Sequence, residues 1–355
     1  MNRRSVLRAG LALAGTAAAG CLQTEQQSVR APPLPENRPD AVYYPSHVEG
    51  MEMIGMGSAG DYRVAGMYSF PHRFWEVVGS DLTKHELTGD HAMHLMATVW
   101  DPDTGLVLPE TGLSIELNTG GSLVSEEVVY PMLSQPMGFH YGSNLQGDGD
   151  GTYTADVSVG AVPGDGVRTT GDFQGKFTDP GTVSLDFEFS QDRLQEISFE
   201  RLDNAGERGA LDPMEMDTVP NSTAPAAADL PGEVRGTATS GDAKFVVTVL
   251  EEPPAGVDAA GPYLAVSART PYNRMILPAM SLSARLSRDG ETRHEAGLTR
   301  TLDPDLYYHY GTALDGTAVE SGDRLALTVE TPPQVARHEG YETAFLEMDP
   351  MEVEV

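Results

Sequence analysis

The chain has 355 residues and carries 53 acidic residues against 23 basic ones, which gives a formal net charge of −30. Such an excess repels nucleic acid and anionic lipid, so neither is an expected partner. The acids are spread over the whole sequence, and arginine strongly outnumbers lysine. This composition is typical of proteins adapted to molar salt, where the Debye length falls to about 3 Å. We therefore predict a haloarchaeal cell-surface protein, whose acidity reflects the solvent rather than the ligand.

Residues 1–20 predict an export signal. Arg3 and Arg4 form a twin-arginine pattern, and the apolar run over residues 11–19 is too short to span a bilayer. Cys21 follows Ala-Ala-Gly, is the sole cysteine of the chain and so predicts lipidation at the end of the signal. A single cysteine also excludes a disulfide within the chain. The expected location is extracytoplasmic, with a lipid anchor in the outer face of the cell membrane.

Composition divides the rest of the chain into four parts. Residues 21–41 are polar and proline-rich, which predicts a disordered linker. Residues 42–202 contain short runs of alternating apolar and polar side chains, separated by Gly, Pro, Asp and Asn. A second proline-rich linker is predicted over 203–236, and the strand pattern resumes over 237–355. No segment predicts a long amphipathic helix. We predict an all-β fold with two antiparallel β-sandwich domains in tandem.

The two predicted domains share a sequence pattern. Residues 138–145 (Gly-Phe-His-Tyr-Gly-Ser-Asn-Leu) are echoed by residues 307–314 (Tyr-Tyr-His-Tyr-Gly-Thr-Ala-Leu). Upstream, a strand over 96–101 that ends in Asp-Pro-Asp is matched with residues 281–289, and turns and strands follow in the same order. The second domain is therefore predicted to be a diverged repeat of the first.

Thioether and imidazole side chains concentrate in the first domain, in three short windows: Met51, Met53 and Met56; His91, Met93, His94 and Met96; Met132, Met137 and His140. In a strand over residues 90–100, alternation places His94 and Met96 on one face, so these two are the predicted metal ligands of this window. Methionine combined with histidine suits copper and, less selectively, iron(II). With no cysteine for thiolate ligation, a structural zinc site is not expected.

Packing offers the alternative explanation of the same residues. Methionine fills gaps in cores, and lone histidines such as His47, His72 and His85 are expected at the surface or in ordinary hydrogen bonds. Two hypotheses follow: a metal-binding lipoprotein, or a structural or adhesive cell-surface sandwich without a metal site. No nucleophile–base constellation, phosphate loop or zinc-protease spacing is present, so an enzyme is not expected.

Four segments resemble one known family. Residues 51–57 are Met-rich, His94 begins a His-Leu-Met-Ala strand, residues 130–132 read Tyr-Pro-Met, and residues 140–144 read His-Tyr-Gly-Ser-Asn. This set resembles the periplasmic iron- and copper-binding proteins of bacterial ferrous-iron uptake systems. The resemblance covers residues 51–189, about 40 per cent of the chain, and the His-Tyr-Gly-x-Asn segment is its most specific part.

The resemblance implies an immunoglobulin-like sandwich that is often dimeric and that delivers iron to a membrane permease with the help of bound copper. It implies His94, Met132 and His140 as metal ligands and Met53 as a fourth. Met96, which shares the face of His94, stands where the family has glutamate.

The chain departs from the family in a late histidine segment. Residues 162–168 contain no histidine, whereas His338 in the second domain falls near the corresponding position. Residues 274–275, Arg-Met, stand where the first domain has its histidine pair. Each repeat thus resembles half a site. The halves are either complementary or both degraded, and whether His309 or His338 contributes a ligand is left open.

Overall fold

The structure is a computed structural model that describes residues 30–355. The predicted signal and the lipidation at Cys21 lie outside the described residues. Strands dominate this part of the chain, which confirms the predicted all-β fold. Helical segments are short: the α-helix α1, Gln191–Glu196, and two 3-10 turns at Gly171–Phe173 and Ala227–Asp229. Within residues 30–355, no helix has the length and apolar character needed to cross a membrane.

The first unit consists of two facing sheets, and a short ribbon pairs β1 (His47–Glu49) with β14 (Phe199–Arg201). The large sheet has the order β2-β3-β6-β10-β9-β22-β4-β5. Its strands are β2 (Glu52–Ala59), β3 (Tyr62–Ser69), β4 (Phe74–Val78), β5 (Asp81–His85), β6 (His91–Trp100), β9 (Tyr130–Ser134), β10 (Gly138–Gln146) and β22 (Ala336–Arg337). The smaller sheet has the order β13-β11-β7-β8, with β7 (Leu113–Thr119), β8 (Ser122–Val128), β11 (Gly151–Val159) and β13 (Gly181–Phe189).

Alternation along the strands builds the core of this unit. In β13, Val183, Leu185 and Phe187 are buried while the intervening residues are exposed. On the large sheet, Leu95 and Tyr141 belong to the same apolar core. Burial of each such side chain contributes about 1.5–3 kcal/mol of hydrophobic stabilisation. Because the inner face is apolar, the polar residues that alternate with it on β6 and β10 lie on the opposite face of the large sheet.

The second unit folds one long strip of strands into two layers. Its order is β15-β16-β17-β20-β19-β18-β21-β23, and β12 pairs with β19 from the side. The first half of β19 pairs with β18 and the second half with β20, so this strand belongs to both layers. The strands are β12 (Val167–Thr169), β15 (Glu233–Ser240), β16 (Ala243–Leu250), β17 (Tyr263–Arg269), β18 (Ser281–Arg288), β19 (Glu291–Asp303), β20 (Tyr307–Ala313), β21 (Arg324–Thr331) and β23 (Met351–Glu354).

The two units have the same strand order. The series β2-β3-β6-β10-β9 corresponds to β15-β16-β17-β20-β19, and the smaller sheet corresponds to β23-β21-β18-β19. Aligning Gly142 on Gly311 places β6 opposite β17, because these strands flank the two glycines in equivalent registers. The predicted match between residues 96–101 and 281–289 is therefore wrong. It relied on the Asp-Pro-Asp turn after β6, and the second unit has that tripeptide at residues 303–305, after β19 rather than after β18.

The C-terminal part of the second unit crosses back into the first sheet. Strand β22 lies between β9 and β4, with Ala336 opposite Met132 and Arg337 opposite Trp75. Arg337 is fully buried, and its guanidinium donates to the backbone carbonyls of residues 333, 344 and 345. These bonds fix the loop immediately around His338, whose backbone N–H donates to Leu133 O at 3.1 Å.

Candidate metal centre

Three of the predicted ligands share the outer face of the large sheet. His140 on β10 lies directly opposite Met132 on β9, and Asn144, two alternations further along β10, lies opposite His94 on β6. Paired residues of an antiparallel ladder point to the same side, as do residues two apart on one strand. Three neighbouring strands therefore present His94, Met132 and His140 on one face, and all three are buried.

Two further histidines complete the cluster. His72, in the loop between β3 and β4, has its ring centre 4.0 Å from that of His94 and 4.7 Å from that of His338. One nitrogen from each of these three rings lies within 4.8 Å of the others. The His140 ring centre is 5.2 Å from that of His338, and Met132 Sδ is 3.3 Å from His338 Nε2.

His72 makes an ordinary hydrogen bond, as the sequence predicts, but it is not a lone histidine, because the loop after β3 places its ring beside those of His94 and His338. Of the two histidines left open in the second unit, His338 joins the cluster and His309 does not.

Hydrogen bonds set the tautomer of three of the rings. His72 and His140 each donate from Nδ1 to the carbonyl oxygen two residues earlier, at 3.0 and 3.1 Å. His94 Nδ1 donates to Asn144 Oδ1 at 2.9 Å. Because these oxygens can only accept, each Nδ1 carries the proton and each Nε2 keeps its lone pair. Within the described residues, all three Nε2 atoms are buried and have no hydrogen-bond partner. Metal-binding histidines show this arrangement, with the second nitrogen held by an outer acceptor.

Burial keeps the imidazoles neutral. It lowers the pKa of His94 to about 3, against a smaller opposing effect of its hydrogen bond to Asn144, and it lowers the pKa of His140 to about 4. The pKa values of His72 and His338 also lie well below the ordinary value, first because of burial and then because neighbouring imidazoles would repel a second charge. Neutral rings are the form that binds metal.

These pKa shifts make the metal-free protein acid-sensitive. Histidines of the unfolded chain titrate near 6.5, so between that pH and the low folded pKa values the unfolded state binds protons that the folded state excludes. The free energy of unfolding should fall with decreasing pH by about 1.4 kcal/mol per pH unit for each buried histidine. Urea unfolding at pH 7.5, 6.5 and 5.5 in constant salt measures this slope. The His140→Gln variant should show a smaller slope, and a stability that stays constant over this range would contradict the expectation.

Two of the donors lie close to the backbone of Gly142. A methyl group at Gly142 would lie 2.9 Å from His94 Nε2 and 3.2 Å from Met132 Sδ. The backbone at Gly142 is part of strand β10 and has no positive φ, so the missing side chain serves space rather than backbone conformation. Imidazole nitrogen binds first-row metals at about 2.0–2.1 Å. The His94 nitrogen and the Met132 sulfur thus lie close together, and with the other imidazoles of the cluster they form a donor set that suits a borderline or soft ion such as copper.

Of the other two predicted ligands, Met96 borders the cluster and Met53 does not. Met96 is buried two residues beyond His94 on the same face and lines a cavity of about 100 Å³ that also borders His72 and His338. Met53 on β2 is 40% exposed and two strands away from β6, about 10 Å at the usual strand spacing. The structure therefore does not bring Met53 to His94 as a fourth ligand. The reason is that β3 lies between their strands.

An ion pair connects the two loops that carry His72 and His338. Arg73 donates to Glu339 at 2.7 Å, and both side chains are largely buried. Glu339 also accepts from the backbone N–H and the hydroxyl of Ser46, at 2.7 and 3.0 Å. Because the paired residues directly follow the two histidines, the ion pair limits how far the two rings can separate.

The equivalent position in the second unit is closed. Tyr263 on β17 occupies the register of His94, and its hydroxyl donates to His309 Nε2 at 3.1 Å. His309 Nδ1 donates to Tyr307 O at 3.1 Å, so both ring nitrogens are satisfied. Thr301 stands opposite His309 where Met132 stands opposite His140. The second unit thus has an ordinary buried histidine in place of a donor cluster.

Comparisons with known proteins identify no function. A family model described as a domain of unknown function (DUF7350) matches residues 228–354. No curated protein matches the chain. Among solved structures, FetP of uropathogenic Escherichia coli strain F11 is 18% identical over 41% of this chain and 96% of its own, with a TM-score of 0.29. A copper-bound variant of FetP is 17% identical over 39% of this chain and 97% of its own, with a TM-score of 0.30. Sequence identity and structural similarity at this level support no functional inference.

Proposed function

We propose that this protein binds a copper ion through imidazole and thioether ligands and carries it outside the cytoplasm. One observation supports the proposal above all: the buried, unpartnered Nε2 lone pairs of His72, His94 and His140 lie in one cluster with His338 and the sulfur of Met132. The set holds no thiolate and mixes imidazole with thioether, which favours copper; iron(II) is the second choice, with weaker binding.

The cost of this arrangement argues against simple packing. Leaving a buried polar atom without a partner costs about 1–3 kcal/mol, and three rings of the cluster each have such a nitrogen. The second unit avoids this cost at His309, because Tyr263 donates a hydrogen bond to His309 Nε2. A bound ion would remove this cost, since each of the three Nε2 atoms is a potential donor to a metal.

The cellular role in this proposal is transport rather than catalysis. The twin-arginine signal and Cys21 support export and a lipid anchor, and they are arguments from the sequence alone. The protein would hold copper or iron(II) on the outer face of the cell membrane and supply it to a membrane permease, as a monomer or a homodimer.

Titration of the purified protein in molar salt tests the proposal. We expect one equivalent of copper to bind with a dissociation constant below 1 μM, which corresponds to more than about 8 kcal/mol. Cu(I) is measured anaerobically against a competing chelator, and Cu(II), Fe(II) and Zn(II) are titrated in parallel. Tighter zinc than copper binding would contradict the choice of metal. Affinities weaker than micromolar for all four ions would favour the structural or adhesive alternative.

A further inference from the structure

Asn144 contacts two of the histidines at once. Its Oδ1 accepts from His94 Nδ1 at 2.9 Å and from the backbone N–H of His72 at 3.3 Å. Its Nδ2 donates to the backbone carbonyl of His72 at 2.8 Å. The Asn144 side chain therefore bonds both to the His94 ring on β6 and to the backbone N–H and C=O of His72 in the loop. Asn144 is 9% exposed, so water competes little for these bonds.

The repeat within the chain provides a comparison. In the first unit Asn144 lies opposite His94, and in the same register of the second unit Ala313 lies opposite Tyr263. The asparagine is thus present where a histidine must direct Nε2 into the cluster, and it is absent where a tyrosine takes that place. A general requirement of the fold for asparagine at this register would apply equally to both units.

We infer that Asn144 is a positioning residue that prepares two ligands for the ion. By accepting from Nδ1 it keeps the proton off His94 Nε2, and by bonding to the backbone of His72 it holds that ring beside His94. Outer partners of metal-binding histidines act in this way, and their removal typically lowers metal affinity 10- to 100-fold. The inference depends on the proposed function, because it concerns ligands of the same site.

Two substitutions separate the two actions of this side chain. Asn144→Ala removes all three bonds. Asn144→Asp keeps the acceptors for His94 and for the His72 N–H but loses the donor to the His72 carbonyl. Asn118→Ala is the matched control, because Asn118 lies on the smaller sheet and its side-chain amide donates only a long bond of 3.4 Å to Asp156.

The first readout is the tautomer of His94 in the metal-free protein, measured by ¹⁵N NMR of the imidazole nitrogens. The wild type and Asn144→Asp should show the proton on Nδ1, whereas Asn144→Ala should show a mixture of tautomers. The second readout is copper affinity. Asn144→Ala should weaken binding 10- to 100-fold, Asn144→Asp by less, and Asn118→Ala by less than twofold.

These readouts distinguish the inference from the proposed function. A wild-type protein that binds no copper would overturn the proposed function, while the tautomer measurement would still test the action on His94. If the wild type binds copper and Asn144→Ala binds within threefold of it, the inference fails. It also fails if affinity falls while the His94 tautomer is unchanged in both variants, because that result would describe a purely structural role.

Discussion

Replacing His338 with alanine is expected to lower copper affinity roughly 100-fold or more, which corresponds to about 2.7 kcal/mol. His338 belongs to the second unit, yet its nitrogen lies within 4.8 Å of those of His72 and His94, and its Nε2 is 3.3 Å from the sulfur of Met132. Removing this ring takes away the imidazole that lies beside the Met132 sulfur and within reach of the other two rings.

His309→Ala is the matched control for this experiment. His309 is also buried, but Tyr263 and the carbonyl of Tyr307 satisfy its two nitrogens. This substitution should cost stability and leave copper affinity within about twofold of the wild type. Competition titrations of both variants, with unfolding curves for each, separate ligand loss from destabilisation. Wild-type affinity in His338→Ala would show that the second unit contributes no ligand.

The expected loss of affinity in His338→Ala would mean that the second unit contributes a ligand to the site. Strand β22 pairs with β9 and β4, and the ion pair between Arg73 and Glu339 lies next to the two outer histidines. The region that matches the family of unknown function, residues 228–354, includes His338. The sequence left open whether the two half-sites are complementary or both degraded. A ligand from the second unit beside those of the first agrees with complementary half-sites.

Much of the fold follows from local patterns. Alternation in residues 183–189 predicts β13, because one face of that strand is apolar and the other is not. The same rule places His94 and Met96 together on β6, and the structure shows both buried on that face. Such predictions succeed where a regular strand has one side in the core and the other outside it.

The rest of the site depends on contacts between distant parts of the chain. His72 follows Pro71 in a loop that has no periodic pattern, and its place is set by Asn144. Strand β22 has two residues, too few for any pattern, so the sequence cannot show that His338 reaches β9. Met53 fails as a ligand for a related reason, since the strand order that separates β2 from β6 is a long-range property.

Gly142→Ala is expected to abolish tight copper binding while leaving every donor atom in the chain. The added methyl group would lie 2.9 Å from His94 Nε2 and 3.2 Å from Met132 Sδ, in the space that an ion must share with both. Copper affinity should fall about 100-fold or more, whereas the backbone of β10 tolerates alanine because φ is not positive there.

Gly297→Ala provides the control, because Gly297 also lies within a strand and a methyl group there meets no atom within 4 Å. Both variants should keep the β-type circular dichroism of the wild type, and only Gly142→Ala should lose copper. The comparison is informative because removing a ligand changes the donor set, whereas a methyl group at Gly142 leaves the donor set intact and displaces the His94 ring and the Met132 sulfur from their positions. Unchanged affinity in Gly142→Ala would mean that the ion does not lie between His94 and Met132. The proposed site would then be wrong in its pairing of these two ligands.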